Sequence, residues 1–310
     1  MVTNGHIGRR SVLAGALASL ALPASAGRLR LAAIDWAMLE TAMALGAEPV
    51  AACELIRYRE TAVTPEIPAR VTDLGLRGSP NFELLQLTRP DLILTSNYYT
   101  QIEARLRTIA PVLVLPFYVA GEPPWAKAVT ALLRLSDELG MPERGVAVAR
   151  AAEDELAMLG ARLSQGDGRP VYVIDIGDPR HFRAFGPDSM FGEMLTRLGL
   201  ANAWSRPSRF AFSAPVPLER LAEEPEARIV TVSGVPVLAR RALERSVLWT
   251  RLNPVARGRV LHLPDVNPFG GVPAGLRFAR LLSAAMTGAP NAAMTGAGSG
   301  PARPAAEVPS

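Results

Sequence analysis

Short apolar runs alternate along the chain with apolar stripes at helical spacing, and this predicts strands that alternate with helices. The apolar run at 92–94 is bounded by turn residues, as a strand covered on both faces requires, and a helical pattern at 83–87 precedes it. The same order, a short helix and then a buried strand, recurs at 218–230. The recurrence predicts two lobes of similar plan.

The repeat extends in both directions from these two stretches. Strand-like runs at 31–35 and 171–175 are each followed by a helical pattern that stops at a glycine, Gly46 in the first copy and Gly199 in the second. Further strand-like runs follow at 112–115 and 259–263. Strands and helices of this length predict an α/β fold with a parallel sheet in each lobe.

A long helix is predicted between the lobes, because one apolar stripe runs through residues 143–163. At 1.5 Å per residue it would reach roughly 30 Å, enough to cross between the lobes. We expect a polar loop at 57–70 that faces a cleft, and a final helix at 275–285. The predicted division is an N-terminal lobe at 27–140, a linker helix at 141–167, a C-terminal lobe at 168–289 and a disordered tail at 290–310.

The first 26 residues have the pattern of an export signal. Arg9 and Arg10 precede an apolar run at 12–22 that is too short to span a bilayer, and Ala-Ser-Ala at 24–26 supplies a cleavage site. The arginine pair partly matches the twin-arginine signal, and the general secretory route is the alternative. No cysteine follows the apolar run, so a lipid anchor is not indicated. We expect a periplasmic protein.

Composition and charge narrow the possible functions. Hydrophobic residues make up 49% of the 310, which is ample for two cores. The formal charge of +4 falls to +2 when the signal is removed, because that segment carries two arginines and no acid. No basic face that would bind nucleic acid is indicated. Cys53 is the single cysteine, so no intramolecular disulfide forms, and its apolar neighbours predict a buried, inert thiol.

Catalytic and metal-binding patterns are absent from the mature sequence. Its two histidines, His181 and His262, have no acid or second ligand at helical or strand spacing. Ser233 lacks the glycine that a nucleophile elbow needs, because Thr231 holds that place. No phosphate-binding loop occurs. We therefore expect a binding protein with no catalytic residue, protein-held metal or cofactor, and an exported α/β hydrolase stays the alternative from another class.

Candidate ligand-binding residues follow the predicted strands, where ligands bind in open α/β sheets. One arginine and several aromatic residues there favour a cleft with an aromatic wall and one charged donor. The candidates are Trp36, Arg77, Tyr98, Tyr99, Phe210, Phe212, Asn267 and Phe269.

Several motifs resemble the periplasmic ferric siderophore-binding proteins of ABC importers, and among them the ferric hydroxamate binders. The more specific matches are Leu-Arg before Ser-Pro-Asn at 76–81 and Asn-Ala-Trp at 202–204, and the resemblance covers almost all of residues 28–288. It implies the class III fold of the vitamin B12, haem and siderophore-binding superfamily, in which two α/β lobes joined by one long helix move little. A haem or cobalamin binder of the same fold is the alternative within the class.

The resemblance also implies roles for single residues. Arg77 matches the arginine that donates to the hydroxamate oxygens around iron, and Tyr99 matches its tyrosine partner. The siderophore carries the iron, so the protein need supply no metal ligand. Thr61, Ala211 and Asn267 stand where the hydroxamate binder has tryptophans, which implies a ligand that differs in bulk from a simple trihydroxamate.

Two glutamates in equivalent places of the repeat have a second implied role. In the family, an acid on each lobe meets arginines of the dimeric permease, which works with its ATPase at the inner membrane, and Glu83 and Glu219 match those acids. The alternative is that each is a favourable acid in the first turn of a helix. The binding protein itself is expected to be a monomer.

Overall fold

The structure is a computed structural model that describes residues 29–208 and 215–288. Within these residues the chain forms two α/β lobes, each built on a five-stranded sheet. The predicted export signal, the predicted tail and the candidates Phe210 and Phe212 lie outside the described residues.

The first sheet is parallel throughout, as the repeat predicts. Its strand order is β3-β2-β1-β6-β7, so the chain crosses over between neighbouring strands by way of helices. Its strands are β1 Leu31–Ala33, β2 Ala51–Ala52, β3 Thr72–Asp73, β6 Leu92–Ser96 and β7 Val112–Leu115. A separate hairpin, β4 Gly75–Leu76 and β5 Ser79–Pro80, projects between β3 and the next helix.

The second sheet has the order β10-β9-β8-β11-β12 and is mixed. Its strands are β8 Val171–Asp175, β9 His181–Ala184, β10 Val216–Pro217, β11 Arg228–Val232 and β12 Val260–Leu263. The strands β8, β11 and β12 are parallel, whereas β9 pairs antiparallel with both β8 and β10. The α/β class is confirmed, but the parallel pattern missed β9, because the connection at 176–180 is too short for a crossover helix.

Eleven α-helices are present in the part of the chain that the structure describes. They are α1 Trp36–Ala44, α2 Leu55–Thr61, α3 Phe82–Leu87, α4 Thr100–Leu106, α5 Trp125–Glu138, α6 Pro142–Leu163, α7 Met190–Arg197, α8 Val237–Glu244, α9 Val247–Arg251, α10 Asn253–Ala256 and α11 Val272–Thr287. Short 3-10 helices occupy Asn97–Tyr99 and Leu218–Glu223. The expected loop at 57–70 is wrong at its start, which continues α2, and α11 extends beyond the expected 275–285 at both ends.

Three helices connect the lobes. Helix α6 has 22 residues and packs along both α5 and α11, while α11 also contacts α1 of the first lobe. One buried apolar cluster includes Leu31 and Trp125 as well as Leu156, Val230 and Phe278, so the core is continuous from one lobe into the other. The lobes are therefore held by a shared helical layer in addition to the long helix that the sequence predicts.

A buried carboxylate from the first lobe contacts the start of α11. The Glu40 side chain in α1 is fully buried, and it accepts hydrogen bonds from Asn267 Nδ2 at 2.8 Å and from the Gly271 backbone N–H at 2.9 Å. Gly271 is the N-cap of α11, where the helix dipole favours negative charge. A Cβ atom on Gly270 would lie 2.3 Å from Glu40 Oε2, so this approach requires glycine.

The stability of the fold should depend on pH through Glu40. Burial raises the pKa of Glu40 from 4.5 to about 8, although hydrogen bonds from Asn267 and Gly271 lower it in part. A raised pKa means that the folded state holds the proton more tightly, so this stabilisation is full below pH 4.5 and is lost as the pH rises through 8. We expect the free energy of unfolding to fall between pH 5 and pH 9, by roughly 2–5 kcal/mol.

Urea unfolding of the wild type and of Glu40→Gln at both pH values checks this. The glutamine variant cannot titrate at this position, so its free energy of unfolding should change less over the same interval. An equal pH dependence in the two proteins would contradict the assignment.

Candidate ligand-binding cleft

A cavity of about 260 Å³ lies between the two lobes, at the carboxyl ends of the parallel strands. The first lobe lines it with Trp36, Arg57, Thr61 and Arg77, and the second with Asp175, Arg183, Phe185, Phe191, Val232, Ser233 and residues 265–269. Both lobes therefore contribute charged groups to a largely apolar pocket.

The tip of the β4–β5 hairpin carries Arg77. Leu76 pairs with Ser79, so Arg77 and Gly78 form a two-residue turn, and Gly75 has the positive φ of 77° that a glycine adopts without strain. The Asp73 carboxylate accepts from the Gly75 N–H at 2.9 Å and from the Leu55 N–H at 3.0 Å. These bonds tie the base of the hairpin to the start of α2 and hold Arg77 at the cleft.

The guanidinium of Arg77 is oriented by two neighbours. Its Nη2 lies 3.1 Å from Glu54 Oε2, and its Cζ lies 4.1 Å above the centre of the Trp36 ring. Glu54 has a left-handed backbone with φ of 52°, which is costly for a residue with a side chain. The Nε of Arg77 is buried and has no hydrogen-bond partner among the described residues, while the side chain as a whole is 20% exposed and lines the cavity.

The first turn of α1 provides the surface on which Arg77 lies. Asp35 caps the helix through the N–H groups of residues 37 and 38, and its other oxygen accepts from the Ser96 hydroxyl at 2.9 Å. Burial raises the pKa of Asp35, with the hydrogen bond from Ser96 acting in the opposite direction. The Trp36 indole N–H donates to the Cys53 carbonyl at 3.0 Å. The side chains of Asp35 and Trp36 are thus both held in place by hydrogen bonds.

An aromatic cluster adjoins the cleft, and Phe269 is its member that lines the cavity. The Tyr98 ring lies 5.9 Å from Phe269 and 6.4 Å from Tyr118, and the Tyr118 hydroxyl donates to the Gly270 carbonyl at 2.6 Å. These contacts cross between the lobes, so the cluster joins the wall of the cleft to the residues that precede α11.

The second lobe places a hydrogen-bonded polar group opposite Arg77. The Ser233 hydroxyl donates to Asp175 Oδ1, while Arg183 Nη1 lies 3.5 Å from Asp175 Oδ2. Ser233 has φ of 145°, outside the conformations that residues with side chains favour. Asp175 ends β8 and Ser233 follows the neighbouring strand β11. In the first sheet, Asp35 follows β1 and Ser96 ends the neighbouring strand β6. The repeat thus produces a serine and aspartate pair in both lobes, buried in one and open to the cleft in the other.

The predicted site residues have different positions relative to the cavity. Trp36, Arg77, Asn267 and Phe269 line it, whereas Tyr98 and Tyr99 are not among the described residues that do. The Asn267 side chain is buried and donates to Glu40, so its amide is committed to the contact between the lobes.

Tyr99 lies close enough to Arg77 for the arginine charge to affect its pKa, but its side chain packs against the core on the other face of the first sheet. Burial raises the pKa of Tyr99 to about 12, and the nearby Arg77 acts in the opposite direction. The pKa of Tyr98 is also raised to about 12 by burial. Both phenols therefore stay protonated near neutral pH and can donate hydrogen bonds.

Besides Thr61, five polar or charged residues that line the cleft are not among the candidates: Arg57, Asp175, Arg183, Ser233 and Asp265. Asp175 and Ser233 stand at strand ends, so the rule that selected Trp36 could have found them. Arg183 lies in β9, the strand that the parallel pattern missed. Arg57 lies in the segment that was expected to be a loop facing the cleft, and it lines the cleft from helix α2.

The two glutamates that match docking acids are both exposed. Glu83 is in the first turn of α3, and Glu219 is in the first turn of the 3-10 helix Leu218–Glu223. Neither forms an ion pair within residues 29–208 and 215–288, a property that they share with other exposed acids such as Glu60, Glu143 and Glu244.

The histidines of the described chain do not contact the cleft serine. His181 Nδ1 lies 3.1 Å from Asp178, and His262 Nδ1 lies 2.7 Å from the Thr231 hydroxyl. The Ser233 hydroxyl donates to the Asp175 carboxylate rather than to a histidine. Among residues 29–208 and 215–288, no three His, Cys, Asp or Glu side chains form a group that could hold a metal ion.

Comparison with known proteins shows the family of the chain. Residues 31–266 match the model for the family described as periplasmic binding protein. The chain is 30% identical to the iron(3+)-hydroxamate-binding protein FhuD of Escherichia coli (strain K12), over 84% of this chain and 87% of that protein.

Two solved structures share the fold. The Fe3+-Desferal-bound siderophore-binding protein FhuD from Vibrio cholerae has a TM-score of 0.78 and 26% identity, covering 84% of this chain and 98% of that one. FhuD2 from Staphylococcus aureus with bound ferrioxamine B has a TM-score of 0.66 and 19% identity, covering 84% and 99% of the two chains.

Proposed function

The chain belongs to the periplasmic binding protein family, and from that premise we propose that it captures a ferric siderophore of the hydroxamate type and delivers it to an ABC permease. Family members of this kind bind substrates and are not enzymes. The relatives in Escherichia coli and Vibrio cholerae are named for iron(3+)-hydroxamate binding and for siderophore binding with Desferal, respectively. Their ligands motivate the choice of ligand class for this chain.

The geometry of Arg77 carries the proposal. The Arg77 guanidinium is fixed by Glu54 and Trp36, and its buried Nε has no hydrogen-bond partner. Hydroxamate oxygens that coordinate iron keep partial negative charge and accept hydrogen bonds, and the planar donors of arginine suit them. The exposed part of the guanidinium lines the cavity, so a bound chelate would gain charge-assisted hydrogen bonds of about 1.5–3 kcal/mol each there.

The remaining walls suit the organic part of such a chelate. Phe185, Phe191 and Phe269 with Val232 and Val266 provide apolar surface, which favours the methylene chains of a hydroxamate ligand. In this proposal the siderophore holds the iron through its own oxygens. The protein then acts on the outer surface of the chelate and contributes no metal ligand or cofactor.

Export of the protein is part of the proposal. We infer that residues 1–26 direct it to the periplasm, by the twin-arginine or the general secretory route, and that the mature chain acts there as a monomer. The family match supports this location. Among the described residues, no helix combines the length and the apolar character that crossing a membrane requires.

Delivery to the permease is assigned to Glu83 and Glu219. Both side chains are exposed, and neither forms an ion pair with a described residue, so each can pair with a permease arginine without breaking an internal contact. One acid from each lobe would orient the cleft over a dimeric permease that works with its ATPase. Charges arranged in this way mainly set orientation and association rate.

Ligand class is tested by titrating the mature protein, residues 27–310, with ferric desferrioxamine B, haem and cobalamin while tryptophan emission is measured. We expect saturable quenching by the ferric hydroxamate, because Trp36 lines the cleft. A Trp36→Phe control should lose part of the quenching and still bind by calorimetry. A saturable response to haem or cobalamin alone would establish the macrocycle binder instead, and no response to any ligand would reopen the hydrolase alternative.

The Arg77→Ala variant should bind a ferric hydroxamate roughly 10- to 100-fold more weakly, since it loses charge-assisted hydrogen bonds. Arg77→Lys should recover part of the affinity, because it restores the charge without the planar donors. Arg105→Ala is a matched control, as Arg105 stacks on Phe82 and does not line the cleft. Calorimetry measures all three, and an unchanged affinity of Arg77→Ala would sink the proposed role.

A double Glu83→Ala/Glu219→Ala protein should bind ligand with wild-type affinity but support little uptake of radiolabelled ferric siderophore by cells. The matched control is Glu103→Ala/Glu223→Ala, which removes one acid from each lobe, each of them paired with an arginine. Normal uptake with the first variant, or an equal loss with the control, would contradict the docking assignment.

A further inference from the structure

One arginine of the cleft, Arg57, makes no side-chain hydrogen bond or ion pair with another described residue. Arg57 lies in α2, is exposed and lines the cavity. Its side chain makes no hydrogen bond, ion pair or ring contact with any residue in the described ranges. The other two arginines of the cavity each have an acid, because Arg77 pairs with Glu54 and Arg183 with Asp175. Arg57 is therefore a cation of the cleft wall without an internal counter-charge.

The surroundings of Arg57 are polar. Thr61 lies one turn further along α2, lines the same cavity, and donates its hydroxyl hydrogen to the Arg57 carbonyl at 2.8 Å. The lone pairs of that hydroxyl have no partner among the described residues and can accept hydrogen bonds. This end of the cleft therefore differs from the apolar wall around Phe269, and it is built for a polar part of the ligand.

No acid of the second lobe forms an ion pair with Arg57 among the described residues. Asp175 already interacts with both Ser233 and Arg183, and Asp265 lines the cavity, where it accepts a hydrogen bond from the Gly234 N–H at 3.1 Å. Arg183 is half-exposed, and at 3.5 Å its contact with Asp175 is longer than a good charge-assisted hydrogen bond. Both Arg57 and Arg183 thus keep N–H donors that face the same cavity.

We propose that Arg57 binds a free carboxylate that the ferric hydroxamate ligand carries in addition to its chelating groups, with Arg183 as a second donor from the opposite lobe. This inference rests on the proposed function, in which Arg77 contacts the chelate. A guanidinium pairs with a carboxylate through two parallel hydrogen bonds. An ammonium group on the ligand could not take the place of the carboxylate, because it is also a cation and carries only hydrogen-bond donors. The substrate class is therefore an acidic hydroxamate siderophore, and a ligand with a pendant amine is disfavoured.

Three ligands with one chelate and different tails test the proposal. Ferric desferrioxamine B has a pendant ammonium group, its N-acetyl derivative is neutral there, and its N-succinyl derivative carries a carboxylate. Calorimetry with the mature protein should give the tightest binding to the succinyl ligand, by roughly 10- to 100-fold over the acetyl ligand. The ammonium ligand should bind most weakly, since Arg57 repels its charge.

Two variants of the same helix assign the effect to one residue. Arg57→Gln should remove the advantage of the succinyl ligand and leave the affinity for the acetyl ligand unchanged. Arg59→Gln removes the same charge from α2, but Arg59 donates to the Pro68 carbonyl and does not line the cavity, so the advantage should persist. Arg183→Gln should reduce the advantage in part.

The outcomes separate this inference from the proposed function. Equal affinities for the three ligands would overturn the carboxylate site and leave a hydroxamate binder. An equal loss for all three ligands in Arg57→Gln would also overturn it, because Arg57 would then contact the chelate itself. Failure of the wild type to bind any of the three would instead overturn the proposed function.

Discussion

The contact between Glu40 and the start of α11 determines how the two lobes meet. The fully buried carboxyl group of Glu40 in the first lobe accepts hydrogen bonds from Asn267 and Gly271 of the second. Burial raises its pKa to about 8, so near neutral pH it is mainly the protonated acid. Burying a polar group is costly unless it is hydrogen-bonded, so the arrangement tolerates little displacement of either partner. Because residues 267–269 line the cleft and lead into this contact, the shape of the cleft depends on it.

The two lobes share one apolar core. Among the described residues it runs without a break around α5, α6 and α11. We infer that the cleft selects ligands by the placement of their charges, because binding is favoured by groups that are already held in position. The fixed positions of Arg77 above Trp36 and of Asp175 with Ser233 are consistent with selection of this kind.

Local strain is concentrated at the same site. Glu54 and Ser233 both have positive φ, and each holds a polar group of the cleft in place, Arg77 in the first lobe and Asp175 in the second. Such conformations cost about 1–3 kcal/mol each and persist where the surrounding contacts determine them. The unpaired Nε of Arg77 adds a further unsatisfied group. The fold thus loses some stability at both walls of the cleft.

The sequence by itself determined the two-lobe α/β plan, the long helix and the position of Arg77 in a turn before the helix at 83–87. Hydrophobic periodicity and turn residues report local burial, and these features depend on local burial. Tertiary structure alone decided which side chains meet. Asn267 was a candidate ligand contact and instead donates to Glu40, a partner 227 residues away in the chain. The helical conformation of Arg57, in a segment that was expected to be a loop facing the cleft, and the direction of β9 were also not predicted, since they depend on contacts between elements and on the short connection at 176–180. Periodicity describes which face of an element is buried, and it carries no information about the residue that the face will contact.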